Sequence, residues 1–208
     1  MDPSAMLTLV PPRKAPGNQG RILALGGSLR SLRLPISTAR MTLRIPEPSD
    51  AEAVYRALHD AKMGRFVRRP SPYRRLDADA FVRVTRRKMQ KGEFLSLLGF
   101  ERASSELRVA VGLHSIDWAN RHAEIGYWVP RAHWGKGWAT EAVTAVCQEA
   151  FRRLPIHRIE ATVSSGNVAS ARVLAHVGFV KEGTRRESKL RGNSWCDSDL
   201  YGLLKREL

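Results

Sequence analysis

A strand that runs into a glycine turn and reopens at once as a long helix constrains this fold more than any other stretch of the chain. Residues 125–129 (Ile-Gly-Tyr-Trp-Val) end a strand-like run closed by Pro130, and Trp134-Gly-Lys-Gly137 leads into Trp138-Ala-Thr-Glu141. From Gly137 to about Leu154, Ala139, Ala142, Val143, Val146 and Ala150 recur at helical spacing, and Pro155 stops the run. The helix is about 27 Å long at 1.5 Å per residue, and its small apolar stripe suits close packing on a sheet. Glycines let main chain approach a ligand, and a helix start offers free N–H groups at a positive dipole end. Such a turn can cradle phosphate, with Lys136 adding charge. Spacing alone leaves open whether it holds a ligand or is only a tight link. GxxxxGK[ST] is missing, and GxGxxG fails because Thr140 stands at its third glycine.

The remaining chain supplies a sheet for that helix. Met41–Ile45 reads as a first strand, ended by Pro46-Glu-Pro48, with Ser49 or Asp50 capping a helix that carries Ala53, Val54, Ala57 and Leu58. Asp77 is expected to cap a second helix with Phe81, Val82, Thr85 and Met89 on its buried stripe. Phe94–Phe100, Val109–Ile116 and Ala123–Val129 follow as strands at hairpin-like spacing. After the long helix come a strand at Arg158–Val163, a short helix at Val168–His176 broken by Gly178, and strands near Val180–Glu187 and Trp195–Leu204. The expectation is an α/β (α+β) domain over residues 41–208. Its mixed central sheet has about seven strands flanked by about four helices, with one strand–helix–strand crossover at the centre.

Residues 1–40 differ in character. They hold five of the eleven prolines, carry a net charge of +5 and lack periodicity, so they read as a disordered basic arm. An Arg- and Ser-containing, acid-poor start also has the composition of a transit peptide, and Met41 could be the natural start.

The 208 residues suffice for a core without disulfides or metal staples. Cys147 and Cys196 cannot build a disulfide framework or a four-ligand zinc site, and the six histidines show no metal-ligand spacing. No apolar run approaches the ~18 residues of a membrane span. The expectation is a soluble cytoplasmic protein with no metal. A net charge of +15 favours an acidic partner or substrate.

Residues 126–183 resemble the GNAT superfamily of acetyl-CoA-dependent N-acetyltransferases, especially the Rim-type branch that acetylates ribosomal-protein N-termini. The matching elements are Ile125-Gly-Tyr-Trp128, Trp134-Gly-Lys-Gly-Trp-Ala139 with Thr140-Glu-Ala142, Asn167-Val-Ala-Ser170, Val177-Gly-Phe179 and Glu182-Gly183. A weaker match from Met41 to Asp50 extends the resemblance over about 165 residues. Trp134 stands where the superfamily has Gln or Arg; the Rim-type branch often has an aromatic there.

The resemblance implies a GNAT-like fold with the acetyl-CoA pyrophosphate on the main-chain N–H groups of Trp134, Gly135, Lys136, Gly137, Trp138, Ala139 and Thr140. It puts the pantetheine arm against Trp128 and Val129, where the sheet splays. An amine would then attack the thioester directly, with no acyl-enzyme. Such a reaction needs a neutral amine: an α-amine of pKa near 8 is ~10% neutral at pH 7, against ~0.04% for lysine. Glu124, on the strand leading to the cofactor site, is the first candidate for general base, and Glu160 on the neighbouring strand the second. Glu141 falls in the first helical turn, where the dipole stabilises a carboxylate. Asn167 would hold CoA or a water and Ser170 would protonate the leaving sulfur; plain N-capping is the competing account of the pair. Tyr201 is an alternative proton donor.

Ten basic residues lie between Arg65 and Lys91 against Asp77 and Asp79. They could hold an acidic peptide or ribosomal RNA beside the acceptor, or only solvate a helix face. Three readings therefore remain: an N-acetyltransferase for protein N-terminal amines, a small-amine acetyltransferase, and an acyl-CoA- or RNA-binding module without transfer.

Overall fold

One parallel step in an otherwise antiparallel sheet organises the molecule. The computed structural model describes residues 29–208 except 66, 68 and 192. Its strands are β1 (Ile36–Ser37), β2 (Met41–Arg44), β3 (Leu95–Glu101), β4 (Leu107–Asp117), β5 (His122–Trp128), β6 (Arg158–Ser164), β7 (Val180–Arg191) and β8 (Ser194–Leu204). The helices are α1 (Ala51–Leu58), α2 (Arg75–Gln90), α3 (Trp138–Arg153) and α4 (Val168–Val177). The sheet order is β1-β2-β3-β4-β5-β6-β8-β7, and among the described strands only β5 and β6 run parallel, because α3 carries the chain across between them.

Side-chain alternation along the strands feeds two cores. On one face Ala123, Ile125 and Ile159 pack with α3 and α4 through Val143, Val146 and Leu174. On the other, Leu98, Ala110 and Trp128 pack with α1 and α2 through Val54 and Phe81. Each fully buried Val or Phe contributes about 1.5–3 kcal/mol. Cys147 lies inside α3 with no exposed surface and acts as a small apolar residue.

The expected α/β architecture and four helices are found, with eight strands in place of seven. The additional strand, β1, lies in the stretch assigned to the arm. Residues 1–28 lie outside the described residues, whereas part of the stretch 29–40 packs on the domain. Leu29 and Leu32 are buried in the α3/α4 core, and the Arg33 N–H donates to the buried Glu149 carboxylate at 2.7 Å. Sparse apolar residues between polar ones concealed this segment, because its burial comes from long-range packing. A second correction concerns α2. Arg74 is its N-cap, while Asp77 sits three residues on and accepts from the Arg74 N–H at 2.7 Å.

Candidate active site

β5 and β6 stay hydrogen-bonded only from His122–Arg158 to Glu124–Glu160. Beyond Glu124 they separate, while β5 continues to pair with β4 as far as Trp128 opposite Ala110. The open side of Ile125–Val129 therefore offers unpaired main-chain groups, the geometry into which an extended ligand adds as a strand. Trp128 itself is buried against α1 and α2 and Val129 packs on the other core, so both side chains anchor the edge.

The glycine turn lies at the mouth of this notch. Gly135 and Gly137 have φ of +73° and +78°, and a Cβ built at Gly135 would meet nothing within 4 Å. The loop's outer surface is open at Gly135, and left-handed backbone of this kind can present N–H groups to an anion at a helix start. Trp134 donates its indole N–H to the Val129 carbonyl at 2.8 Å, which ties the loop to the end of β5. Lys136 folds back onto the Ala132 carbonyl at 3.2 Å, leaving its charge beside the turn. Trp138 and Ala139 are buried and Thr140 half-buried, so the first turn of α3 presents main chain rather than side chains. These features fit a pyrophosphate held by backbone.

Sequence reasoning missed Arg40 at this place. Its guanidinium lies 4.1 Å over the Trp138 ring, donates to the Lys136 carbonyl at 3.0 Å and pairs with Glu141 at 2.7 Å. Glu141 also accepts from the Thr38 hydroxyl at 2.6 Å and the Arg40 N–H at 2.9 Å. Burial alone would raise its carboxyl, but these donors hold it below the ordinary value. Glu141 thus clamps the β1–β2 turn to the cradle.

On the α1/α2 face, Glu124 is directly opposite His114 on β4 and Glu160 on β6. Its Oε2 lies 3.9 Å from His114 Nδ1, while Glu124 Oε1 and His114 Nε2 are buried without a hydrogen-bond partner. Burial raises the Glu124 carboxyl above its usual value, and the Glu160 charge adds to this. Hydrogen bonding from Thr162 and the charges of Lys189 and Arg185 oppose the rise. Burial also lowers His114 to about 4, so its imidazole is neutral near pH 7. A half-buried carboxylate of raised pKa beside a neutral imidazole is a competent proton acceptor. Glu160 is instead engaged by Arg158 at 2.9 Å, and Arg158 also binds Glu182. His114 escaped notice because only strand register, invisible in a hydrophobicity pattern, sets it opposite Glu124.

On the α3/α4 side of the notch, Ser170 exchanges a 2.7 Å hydrogen bond with the Tyr127 hydroxyl, which also donates to the Ser170 carbonyl at 3.1 Å. Burial pushes Tyr127 up to about 12, so it stays a phenol. Asn167 caps α4, accepting from the Ser170 N–H at 3.2 Å. Tyr201 is buried in β8 near Tyr127. Among the described residues no His, Cys, Asp and Glu cluster could hold a metal, and no helix is long and apolar enough to cross a membrane.

A sheet parted at its parallel step, beside a glycine turn at a helix start and a half-buried carboxylate, is the setting a coenzyme A-dependent acyltransferase would need. Residues 40–180 match the family described as the Acetyltransferase (GNAT) domain, and the chain belongs to that family. It is an acetyl-CoA-dependent N-acetyltransferase. An uncharacterized N-acetyltransferase of Bacillus licheniformis, p20, is 33% identical over 82% of this chain and 96% of its own. The ribosomal-protein-serine acetyltransferase of Escherichia coli (strain K12) is 25% identical over 56% of this chain and 68% of its own. Mycobacterium smegmatis RimJ, solved in complex with CoA-disulfide, is 25% identical with a TM-score of 0.70, covering 84% of this chain and 90% of that one.

Proposed function

We propose that residues 29–208 transfer acetyl from acetyl-CoA directly to the N-terminal amine of a protein, with ribosomal proteins as the leading acceptor class. The carrying observation is the parting of β5 and β6 immediately beyond Glu124, which opens the notch beside a half-buried carboxylate. Bound acetyl-CoA supplies an activated thioester carbonyl. The main chain of residues 134–140 binds its diphosphate, and the open edge at Trp128 and Val129 aligns the pantetheine arm. Glu124 accepts the proton of the incoming ammonium, directly or through water, with Glu160 as the reserve base. The Ser170 hydroxyl, oriented by Tyr127, delivers a proton to the leaving thiolate, and Asn167 fixes the α4 start that carries it.

Support for an N-terminal acceptor comes from the greater neutral fraction of α-amines and from the acceptor named for the Escherichia coli relative. The 65–91 stretch has a smaller share in this reading than its charge suggests. Arg69 and Arg86 donate to backbone carbonyls and Arg75 pairs with Glu52 and Asp79. Arg74, Arg83, Arg87 and Lys88 are among the positions left for acidic or ribosomal RNA contact. A cytoplasmic setting follows from the same acceptor class.

The test mixes the full chain and acetyl-CoA with peptides bearing free α-amines and with spermidine, and locates the acetyl group by mass spectrometry. Acetylation on the peptide α-amine is expected. Turnover of spermidine alone would transfer the reading to small amines. Calorimetry with Gly135→Asp plus Gly137→Asp separately tests the cradle and should show acetyl-CoA binding lost.

A further inference from the structure

The face that carries Glu124 continues, by register, onto the β7–β8 hairpin. Glu124 pairs with Glu160, Ser164 with Ser198, and Ser198 with Arg185, while Lys189 stands opposite Cys196 and Arg191 opposite Ser194. Arg185, Lys189 and Arg191 therefore project on one side of the sheet, the side of the base. Two contacts fix this arrangement: Arg191 donates to the Ser164 hydroxyl at 2.7 Å and Ser188 bonds Ser198 at 2.8 Å.

An irregularity between Arg185 and Lys189 leaves that alignment intact, because four steps on β7 match two on β8 and the two extra residues preserve the alternation. Glu187 takes a left-handed φ of 48° there and donates its N–H to Asp197 at 2.8 Å. Lys189 therefore stays on the same face as Arg185, opposite Cys196 as Arg185 is opposite Ser198. Lys189 is only partly exposed, and its ammonium and the Glu124 carboxylate act on each other electrostatically. Two of the nearby acids are engaged elsewhere. Glu160 is held by Arg158, and Asp199, on the opposite face, by Lys181, Thr184 and Ser165. Lys189 and Arg185 thus both act on the Glu124 carboxylate at the open end of the notch.

We propose that Lys189 and Arg185 read an anionic group on the acceptor, whose class is a peptide N-terminus with Asp or Glu within its first few residues. This deepens, and rests on, the N-terminal-acceptor reading. At about 3.3 Å per residue an extended acceptor with its amine at Glu124 passes the hairpin within a few residues. A cationic wall attracts carboxylates there and disfavours a second positive charge, excluding polyamines and Lys-rich termini. It also disfavours the ammonium form of the amine, raising the neutral fraction available for attack.

The experiment measures kcat/KM for matched peptides with Asp-Glu, Ala-Ala or Lys-Lys at positions two and three. Wild type, Lys189→Ala, Lys189→Glu and Arg185→Ala are compared, with acetyl-CoA calorimetry as the control for an intact fold. Wild type is expected to favour the acidic peptide over the basic one at least about 10-fold, mainly through KM. Lys189→Ala should reduce that ratio several-fold and Lys189→Glu should reverse it, with acetyl-CoA affinity unchanged. Equal turnover of all three peptides by wild type overturns the inference and leaves the N-terminal-acceptor reading standing. An acidic preference untouched by every variant overturns the assignment to Lys189 and Arg185. Turnover of spermidine or free aspartate with no peptide acetylated overturns both readings.

Discussion

Arg40 and Glu141 join the chain ahead of the second strand to the helix that opens the cofactor cradle, with Nε 2.7 Å from Oε2. The Arg40 side chain is 44% exposed, so the ion pair itself adds little in water. The hydrogen bonds from the Thr38 hydroxyl and the Arg40 N–H to the same carboxylate are better sheltered, at about 1 kcal/mol net each. Glu141→Ala should therefore destabilise the fold by about 2 kcal/mol and weaken acetyl-CoA binding through a loosened turn. The Glu141 carboxyl is held low in the folded state, so its contribution is present above the ordinary carboxylate pKa and fades as pH falls through the lowered one. Thermal melts should show the gap between wild type and Glu141→Gln narrowing in acid.

Truncation separates the two parts of the amino-terminal region. A chain beginning at Leu29 keeps the core contacts of Leu29 and Leu32 and the clamp on Glu141. A chain beginning at Met41 loses them, leaving Glu149 without the Arg33 N–H and opening a cavity beside α3. Each buried leucine removed costs several kcal/mol by transfer and cavity terms, about 2–5 for Leu→Ala. The shorter chain should melt well below the longer one or fail to fold, and circular dichroism of both distinguishes these outcomes.

Much of this was legible in the residues. The small-residue stripe of α3, the glycine turn and the alternating strands each carry a local signal, and their boundaries were found to within a few residues. β1 carried none, because two residues form no periodic pattern, and Leu29 and Leu32 are buried only by chain that follows far downstream. The site divided in the same way. Gly135 and Gly137 announce themselves through backbone need, whereas Arg40, His114 and Tyr127 acquire their places from register and from contacts 43 to 101 residues away. Asn167 and Ser170 were correctly paired on one helix start, but the partner of the serine hydroxyl required the fold.

Glu124 and His114 should govern the acid limb of the pH profile. Glu124→Gln removes the proposed proton acceptor and should lower kcat/KM by roughly 10²–10⁴ while leaving acetyl-CoA binding intact. In wild type, kcat/KM should rise with pH through a value above the ordinary carboxylate pKa, since burial raises Glu124. His114 stays neutral above about 4, so its effect on that limb comes from its dipole rather than its charge. His114→Leu should move the limb to higher pH by removing the polar neighbour of the carboxylate, and His114→Asn should restore it by placing an amide near Nδ1. A limb unchanged in His114→Leu would restrict the histidine to packing.

The bond between Ser170 and Tyr127 supplies the remaining prediction, because Ser170 is the proposed proton donor to the leaving thiolate. A coenzyme thiol is a fair leaving group near neutral pH, so losing the donor should cost about 10- to 100-fold rather than abolish turnover. Ser170→Ala should lower kcat in this range with acetyl-CoA affinity unchanged. Tyr127→Phe leaves the serine hydroxyl in place but removes its 2.7 Å partner. It should therefore lower kcat less than Ser170→Ala, with a stability loss of about 1 kcal/mol. The two losses should not add in the double variant, since both act on one hydrogen bond. Tyr201→Phe is the control, with kcat expected to change less than about 3-fold if the serine is the donor. A larger loss from Tyr201→Phe than from Ser170→Ala would transfer the donor role to the last strand.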